Sequence, residues 1–174
     1  GTNPNEHLKS YLHLVSWGLF TGILSKKVAD ALSKAGESNP ALADEALTRA
    51  VALREAIYRA VTAIAQKKLP AAEDLFLISR ESGFAMLRAR LTPSKQSYEW
   101  SWPESPDLDQ MIWPVAKAAA DLITSENMAF VRECGSSTCT WVFLDTSKNH
   151  RRRWCDMKDC GNREKVRRFR SGAK

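Results

Sequence analysis

The stretch "CGSSTCTWVFLDTSKNHRRRWCDMKDCGNR", residues 134–163, holds every cysteine of the chain. Cys134 and Cys139 are separated by four residues, fifteen more follow, and Cys155 and Cys160 repeat the four-residue gap. Two thiol pairs on either side of a strand-length insert meet the needs of a tetrahedral site with four sulfur ligands. Each pair offers two sulfurs from one tight turn, and the insert lets the chain travel out and come back to close the tetrahedron. "TWVFLDTSKNHRRRW" suits that path, with an apolar strand to Leu144, a polar turn from Asp145 to Asn149 and a return to Trp154. Two disulfides would require an oxidising compartment, of which the chain gives no sign. A redox dithiol would show a two-residue gap beside a βαβ pattern, and neither is present. The expectation is one zinc ion held by Cys134, Cys139, Cys155 and Cys160. Its role is structural. Four thiolates leave no open position for water, and a segment of roughly 40 residues has too little core to fold unaided. Zinc binding worth ~10–16 kcal/mol supplies what that core lacks.

Charge gathers in the same place. Residues 151–170 carry nine Lys/Arg and three Asp/Glu, and residues 131–174 carry twelve and five. The preceding 130 residues hold fourteen and fifteen, so the net charge of +6 resolves into a near-neutral body and a basic tail. Such asymmetry points to a polyanionic partner for the tail. Zinc with four thiolates bears a formal charge of −2, and two or three arginines suffice to balance it or to pair with Asp145, Asp156 and Glu164. A surplus of cations remains.

From about Asp156 to Arg170 the tail reads as a helix. At 100° per residue Lys158, Lys165 and Arg168 share one sector, and Arg163, Arg167 and Arg170 form a second row. Val166 and Phe169 lie between the rows and are expected to dock the helix onto the finger or the body. Arg151, Arg152 and Arg153 stand just before Trp154. These nine residues, Arg151, Arg152, Arg153, Lys158, Arg163, Lys165, Arg167, Arg168 and Arg170, are the candidate nucleic-acid contacts. DNA is the expected partner. Structured RNA is the alternative, and a zinc-stabilised protein-interaction unit is a third reading. Trp141 and Trp154 are expected to form a small core beside the cysteines. Gly161 would let the backbone approach the thiolates, Asn162 would cap the turn, and His150 would sit in an exposed turn. Arg163 would pair with Asp145 or meet a phosphate.

Ahead of this segment the pattern is mostly helical. Leu8, Leu12, Val15 and Leu19 mark a first helix from Glu6, closed near Gly22. A short helix over 25–35 is capped by Ser25 and stopped by Gly36. A long one follows Asn39 as N-cap and Pro40 as first residue, with Leu42, Leu47, Val51, Ile57, Val61 and Ile64 as its core stripe. After Pro70, "AAEDLFLISRESGF" continues helical, with Glu73, Asp74 and Glu81 as a solvated face. "FAMLRARLTPSKQSYEWSWPE" alternates around a Pro-Ser-Lys turn as a β-hairpin, with Trp100 and Trp102 packing over helices. Helix resumes in "SPDLDQMIWPVAKAAADLITSE", with Pro114 early in it.

The body shows no catalytic constellation. It has no G-x-S-x-G, P-loop or dinucleotide fingerprint, and His7 and His13 suit surface or capping roles. An enzyme is not expected. No apolar run reaches the length of a bilayer span, "GTNPNEHLKS" has no apolar core of a secretory signal, and a cytoplasmic protein is the default.

The finger segment, with Cys160-Gly161-Asn162-Arg163 at its second thiol pair, resembles the CGNR zinc finger. In that family the finger follows a mostly helical ABATE domain. Residues 1–130 fit one by layout, and "LVSWGLFTGILS" at 14–25 is similar to its early helix. The resemblance implies a bacterial transcription regulator, of a kind sometimes linked to stress. The expected architecture is mainly α with a small β-hairpin (α+β): an ABATE-like domain over 1–129, then a CGNR-type finger over 130–174 built of a β-hairpin and a C-terminal helix. The helical domain would form a homodimer, sense a small-molecule effector, or both.

Overall fold

The structure, a computed structural model, describes residues 6–172. Among these residues six α-helices form the frame: α1 (Tyr11–Phe20), α2 (Lys26–Ser38), α3 (Pro40–Ala65), α4 (Ala72–Arg88), α5 (Ile112–Thr124) and α6 (Asn162–Arg170). Two antiparallel hairpins complete an α+β architecture, β1 (Arg90–Ser94) with β2 (Ser97–Ser101) and β3 (Val131–Glu133) with β4 (Val142–Leu144). Among the described residues no helix is long and apolar enough to cross a membrane.

The helix starts follow local hydrogen-bond chemistry. Ser10 Oγ accepts from the His13 amide and Ser25 Oγ from that of Val28, each at 3.3 Å, satisfying donors that the first turn leaves free. The first helix therefore begins at Tyr11 rather than at Glu6. Its buried face is Tyr11, Leu14, Val15 and Gly18, so the expected stripe is rotated and Leu12 and Leu19 are exposed. Gly22, at φ +76°, closes the turn beyond it. His13 Nδ1 accepts from the Lys9 amide at 3.2 Å, a capping role.

Gly36 does not stop α2. The helix runs through it to Ser38, and the Tyr11 ring lies where a side chain would stand. A Cβ there would come within 2.7 Å of two ring carbons. Pro40 opens α3 as expected, whereas the Asn39 side chain turns back and donates to the Ala35 carbonyl at 3.0 Å.

The core of α3 is smaller than its leucines suggest. Ala43, Ala46, Ala56 and Ala60 are buried with Leu53 and Val61, while Leu42 is mostly exposed. Small side chains bring neighbouring helices closer than a leucine stripe would. Leu53, Ala56, Ala60, Ile78, Ile112 and Ala116 form one continuous cluster of α3, α4 and α5.

Asp74 and Glu81 are buried, and only Glu73 belongs to a solvated face. Arg59 meets Asp74 at 2.5 Å. Arg49 bridges Glu81 at 2.7 Å and Asp109 at 2.8 Å, and Arg80 adds a second donor to Glu81 at 3.0 Å. Carboxylates can be buried in this way because forked guanidinium groups reach them from the next element. Of the two expected tryptophans, only Trp102 packs over the helices, donating Nε1 to the Ala85 carbonyl at 2.8 Å. Trp100 faces outward, 45 % exposed. Pro114 falls in the first turn of α5, where its missing N–H costs no hydrogen bond.

A third cluster seats the second hairpin. Val61, Met128 and Val131 are buried together, with Ile64, Leu122 and Val142 around them. Tyr58 donates to the Thr140 carbonyl at 3.1 Å, and the Gln66 amide to Glu133 at 2.8 Å. The long helix α3 thus carries the hairpin that holds the first two cysteines.

Candidate metal centre and its cationic surround

Cys134 follows β3 directly, and its amide donates to the Trp141 carbonyl at 2.8 Å, extending the hairpin ladder by one rung. Between the strands the chain forms a knuckle, closed by the Cys139 amide on the Ser136 carbonyl at 3.1 Å. That knuckle aims two sulfurs the same way. The second pair brackets the start of a wide π turn, Met157–Gly161: Cys155 precedes it, Cys160 lies on it, and Asp156 caps it, its Oδ1 accepting from the Asp159 amide at 2.8 Å. The two halves are tied by the Gly135 amide on the Arg153 carbonyl at 2.7 Å.

β4 pairs with β3 and not with the returning segment, which is a loop. The loop is shaped by Asp145. This carboxylate is 1 % exposed and accepts from Ser147 Oγ at 2.6 Å, the Ser147 amide at 3.0 Å and the Arg152 amide at 2.8 Å. The Ser147 hydroxyl first, then these amides, hold its pKa below the usual carboxylate range. An arginine side-chain partner is one of the readings the sequence leaves open for Asp145. The carboxylate instead folds the loop through the Ser147 hydroxyl and two backbone amides. The spacing Asp145–Thr146–Ser147 is an Asx-turn signature and was the available signal.

All four sulfurs lie within 4.8 Å of one another. The Cys139–Cys155 and Cys155–Cys160 separations are 3.7 and 3.6 Å. Tetrahedral zinc with bonds of about 2.3 Å places its sulfurs about 3.8 Å apart, whereas a disulfide needs about 2.05 Å. The four thiols are free and suit one ion. Burial and the neighbouring thiols push Cys155 and Cys160 up. Cys134 moves down, because hydrogen bonds led by the Cys155 and Ser136 amides outweigh its burial. Zinc takes cysteine as thiolate, so loading the site releases protons.

Gly161 sits where a Cβ would meet Met157 Sδ at 2.7 Å and the Trp154 ring at 3.6 Å. The Asn162 side chain donates Nδ2 to the Lys158 carbonyl at 2.9 Å, bracing the π turn. Because that turn is wider than an α-helical one, Lys158 lies outside the 100° register that continues from Asn162. His150 is exposed, as expected, at φ +47°, stacked on Phe130 at 3.9 Å. Trp154 is half-buried beside the cysteines, but Trp141 is 70 % exposed and adds nothing to a core. Val166 and Phe169 are exposed too, and neither docks α6. Ser136 and Glu164 hold that helix instead, through a buried hydrogen bond of 3.0 Å that sequence reasoning missed.

The nine cations divide. Arg152 donates to the carbonyls of Trp154 and Cys155 and stacks over Phe143. Arg163 pairs with Asp159 at 2.6 Å, rather than with Asp145, and reaches Thr138 at 3.1 Å. Arg167 pairs with Glu164 at 2.8 Å. Arg151, Arg153, Lys158, Lys165, Arg168 and Arg170 are exposed, with no carboxylate in ion-pair range among the described residues.

Residues 1–126 match the model of the ABATE family, described as "Putative stress-induced transcription regulator". The chain belongs to the ABATE family. Residues 131–172 match the CGNR zinc finger, so the thiol cluster of this ABATE protein is a four-cysteine zinc-finger site for one ion. Neither family is one of enzymes. No curated protein matches the chain.

Proposed function

We propose that this ABATE protein is a cytoplasmic bacterial transcription regulator that binds DNA through its zinc finger. One observation carries the reading: six exposed cations without carboxylate partners among the described residues surround a metal-stapled turn and helix. Four lie in the thiol-bearing turn and α6, and two on the loop that Asp145 folds back to them. Thr138, Arg163, Val166, Arg167 and Arg170 line a groove between the first knuckle and α6. Zinc, when bound through the four cysteines, supplies rigidity and not chemistry. Residues 1–129 act as the regulatory body and 130–174 as the contact module, with α3 fixing the direction in which the finger points.

The test is a mobility shift on duplex DNA across a salt series. If six cations meet phosphates, log K falls against log[salt] with a slope of about −5. Arg153→Ala/Arg168→Ala/Arg170→Ala removes three of them while leaving the folding contacts of Arg152 and Arg167 intact. It should weaken binding and flatten the slope by roughly three. Unchanged affinity and slope would remove the reading, and tighter binding to structured RNA in the same series would move the target from DNA to RNA.

A further inference from the structure

Independently of nucleic-acid binding, the outer face of α4 has no partner among the described residues. Phe76, Phe84 and Leu87 are 67, 43 and 81 % exposed, and with Arg80 and Gly83 they fall within a sector of about 100°. Gly83 is exposed in mid-helix, with no atom within 4 Å of the place its Cβ would take. Packing among the described residues therefore gives no reason for a residue that costs a helix about 1 kcal/mol.

The hairpin after α4 continues the pattern. Leu91 stands opposite Trp100 and Pro93 opposite Tyr98, and all four are exposed. On the other face Thr92, Ser94 and Ser101 are half-buried, while Arg90, Ser97 and Glu99 are exposed. Alternation here turns the apolar side outward, the reverse of a half-buried strand. A two-stranded hairpin is marginal in water unless something packs on it.

We infer that α4 and the β1–β2 hairpin form a two-fold interface with a second copy of this chain, with the two α4 helices antiparallel. An axis passing between residues 81 and 82 sets Phe76 against the second copy's Leu87. It sets Arg80 against the second copy's Gly83, so the absent side chain makes room for an arginine stem. The same register brings Glu73 at the start of the helix to the second copy's Arg90 beyond its end. Both are exposed, and neither has an ion-pair partner among the described residues. Each contact occurs twice, as an isologous interface requires. Charge complementarity at both ends and an apolar centre identify the occupant as the chain itself.

Sedimentation equilibrium of the zinc-loaded full chain, without nucleic acid, tests this separately from the DNA reading. The wild type should be dimeric at micromolar concentration. Leu87→Glu should weaken association roughly 30-fold or more with unchanged helicity. Glu73→Arg and Arg90→Glu should each weaken it about tenfold, and the double exchange should restore it to within about threefold of wild type. A chain that stays monomeric up to about 100 µM, a dimer indifferent to Leu87→Glu, or a double exchange as weak as the single ones would each overturn the proposal.

Discussion

Ser136 donates to Glu164 Oε1 across 3.0 Å, and both residues are buried. Ser136 belongs to the first thiol knuckle and Glu164 to the terminal helix, so one hydrogen bond spans the two halves of the metal centre. Outer partners of this kind commonly tune metal affinity 10–100-fold. Glu164→Ala should weaken zinc binding by about that factor in a chelator competition, and Glu164→Gln, which keeps an acceptor, should lose less.

Gly36→Ala tests whether the Tyr11 ring sets the spacing of α1 and α2. An added methyl would lie 2.7 Å from two ring carbons, and that ring is fixed by its hydroxyl on the Leu108 carbonyl at 3.0 Å. Overpacking of about 1–3 kcal/mol should outweigh the roughly 1 kcal/mol that alanine gains in a helix. Thermal unfolding should report a net loss, and Tyr11→Leu in the Gly36→Ala background should recover part of it.

Arg49 joins Glu81 and Asp109, carboxylates from two different elements. Removing the guanidinium leaves Glu81 buried with Arg80 alone, so Arg49→Met should cost about 3 kcal/mol in denaturant unfolding. Adding Glu81→Met removes the stranded charge, and the double variant should be more stable than Arg49→Met.

The pairs at Glu81 and Asp74 show where sequence reading runs out. A charged residue on a helix is assigned to water unless its partner is visible, and Arg49 and Arg59 lie 32 and 15 residues away. The cysteine cluster was readable because four identical ligands at paired spacing have few other uses. The helix punctuation at Ser25 and Pro40 was readable for a similar reason: each residue acts on its own turn. Side-chain burial depends on neighbours that periodicity does not supply, which is why Ala43 is inside and Leu42 outside, and why Val166 and Phe169 face solvent. Gly36 was misread as a stop because its use is a close approach rather than a turn.

Glu6 anchors the segment before α1. Arg54's hydrogen bonds, followed by the Leu8 amide, hold its pKa at about 2 against an ordinary value of 4.5. A carboxylate depressed on folding stabilises fully above its unfolded pKa and loses that contribution as pH falls through the folded one. The segment should therefore loosen between about pH 4.5 and 2. Amide exchange at Leu8 should follow that window in the wild type, and Glu6→Gln should show no such step.

Native mass spectrometry of the reduced full chain, paired with thiol alkylation, tests the metal centre most directly. The expected spectrum is one zinc ion per chain, with Cys134, Cys139, Cys155 and Cys160 protected until a chelator is added, and loss of the ion in Cys139→Ser. A chain that takes up no zinc, or that keeps its finger folded with four freely alkylated thiols, would contradict it.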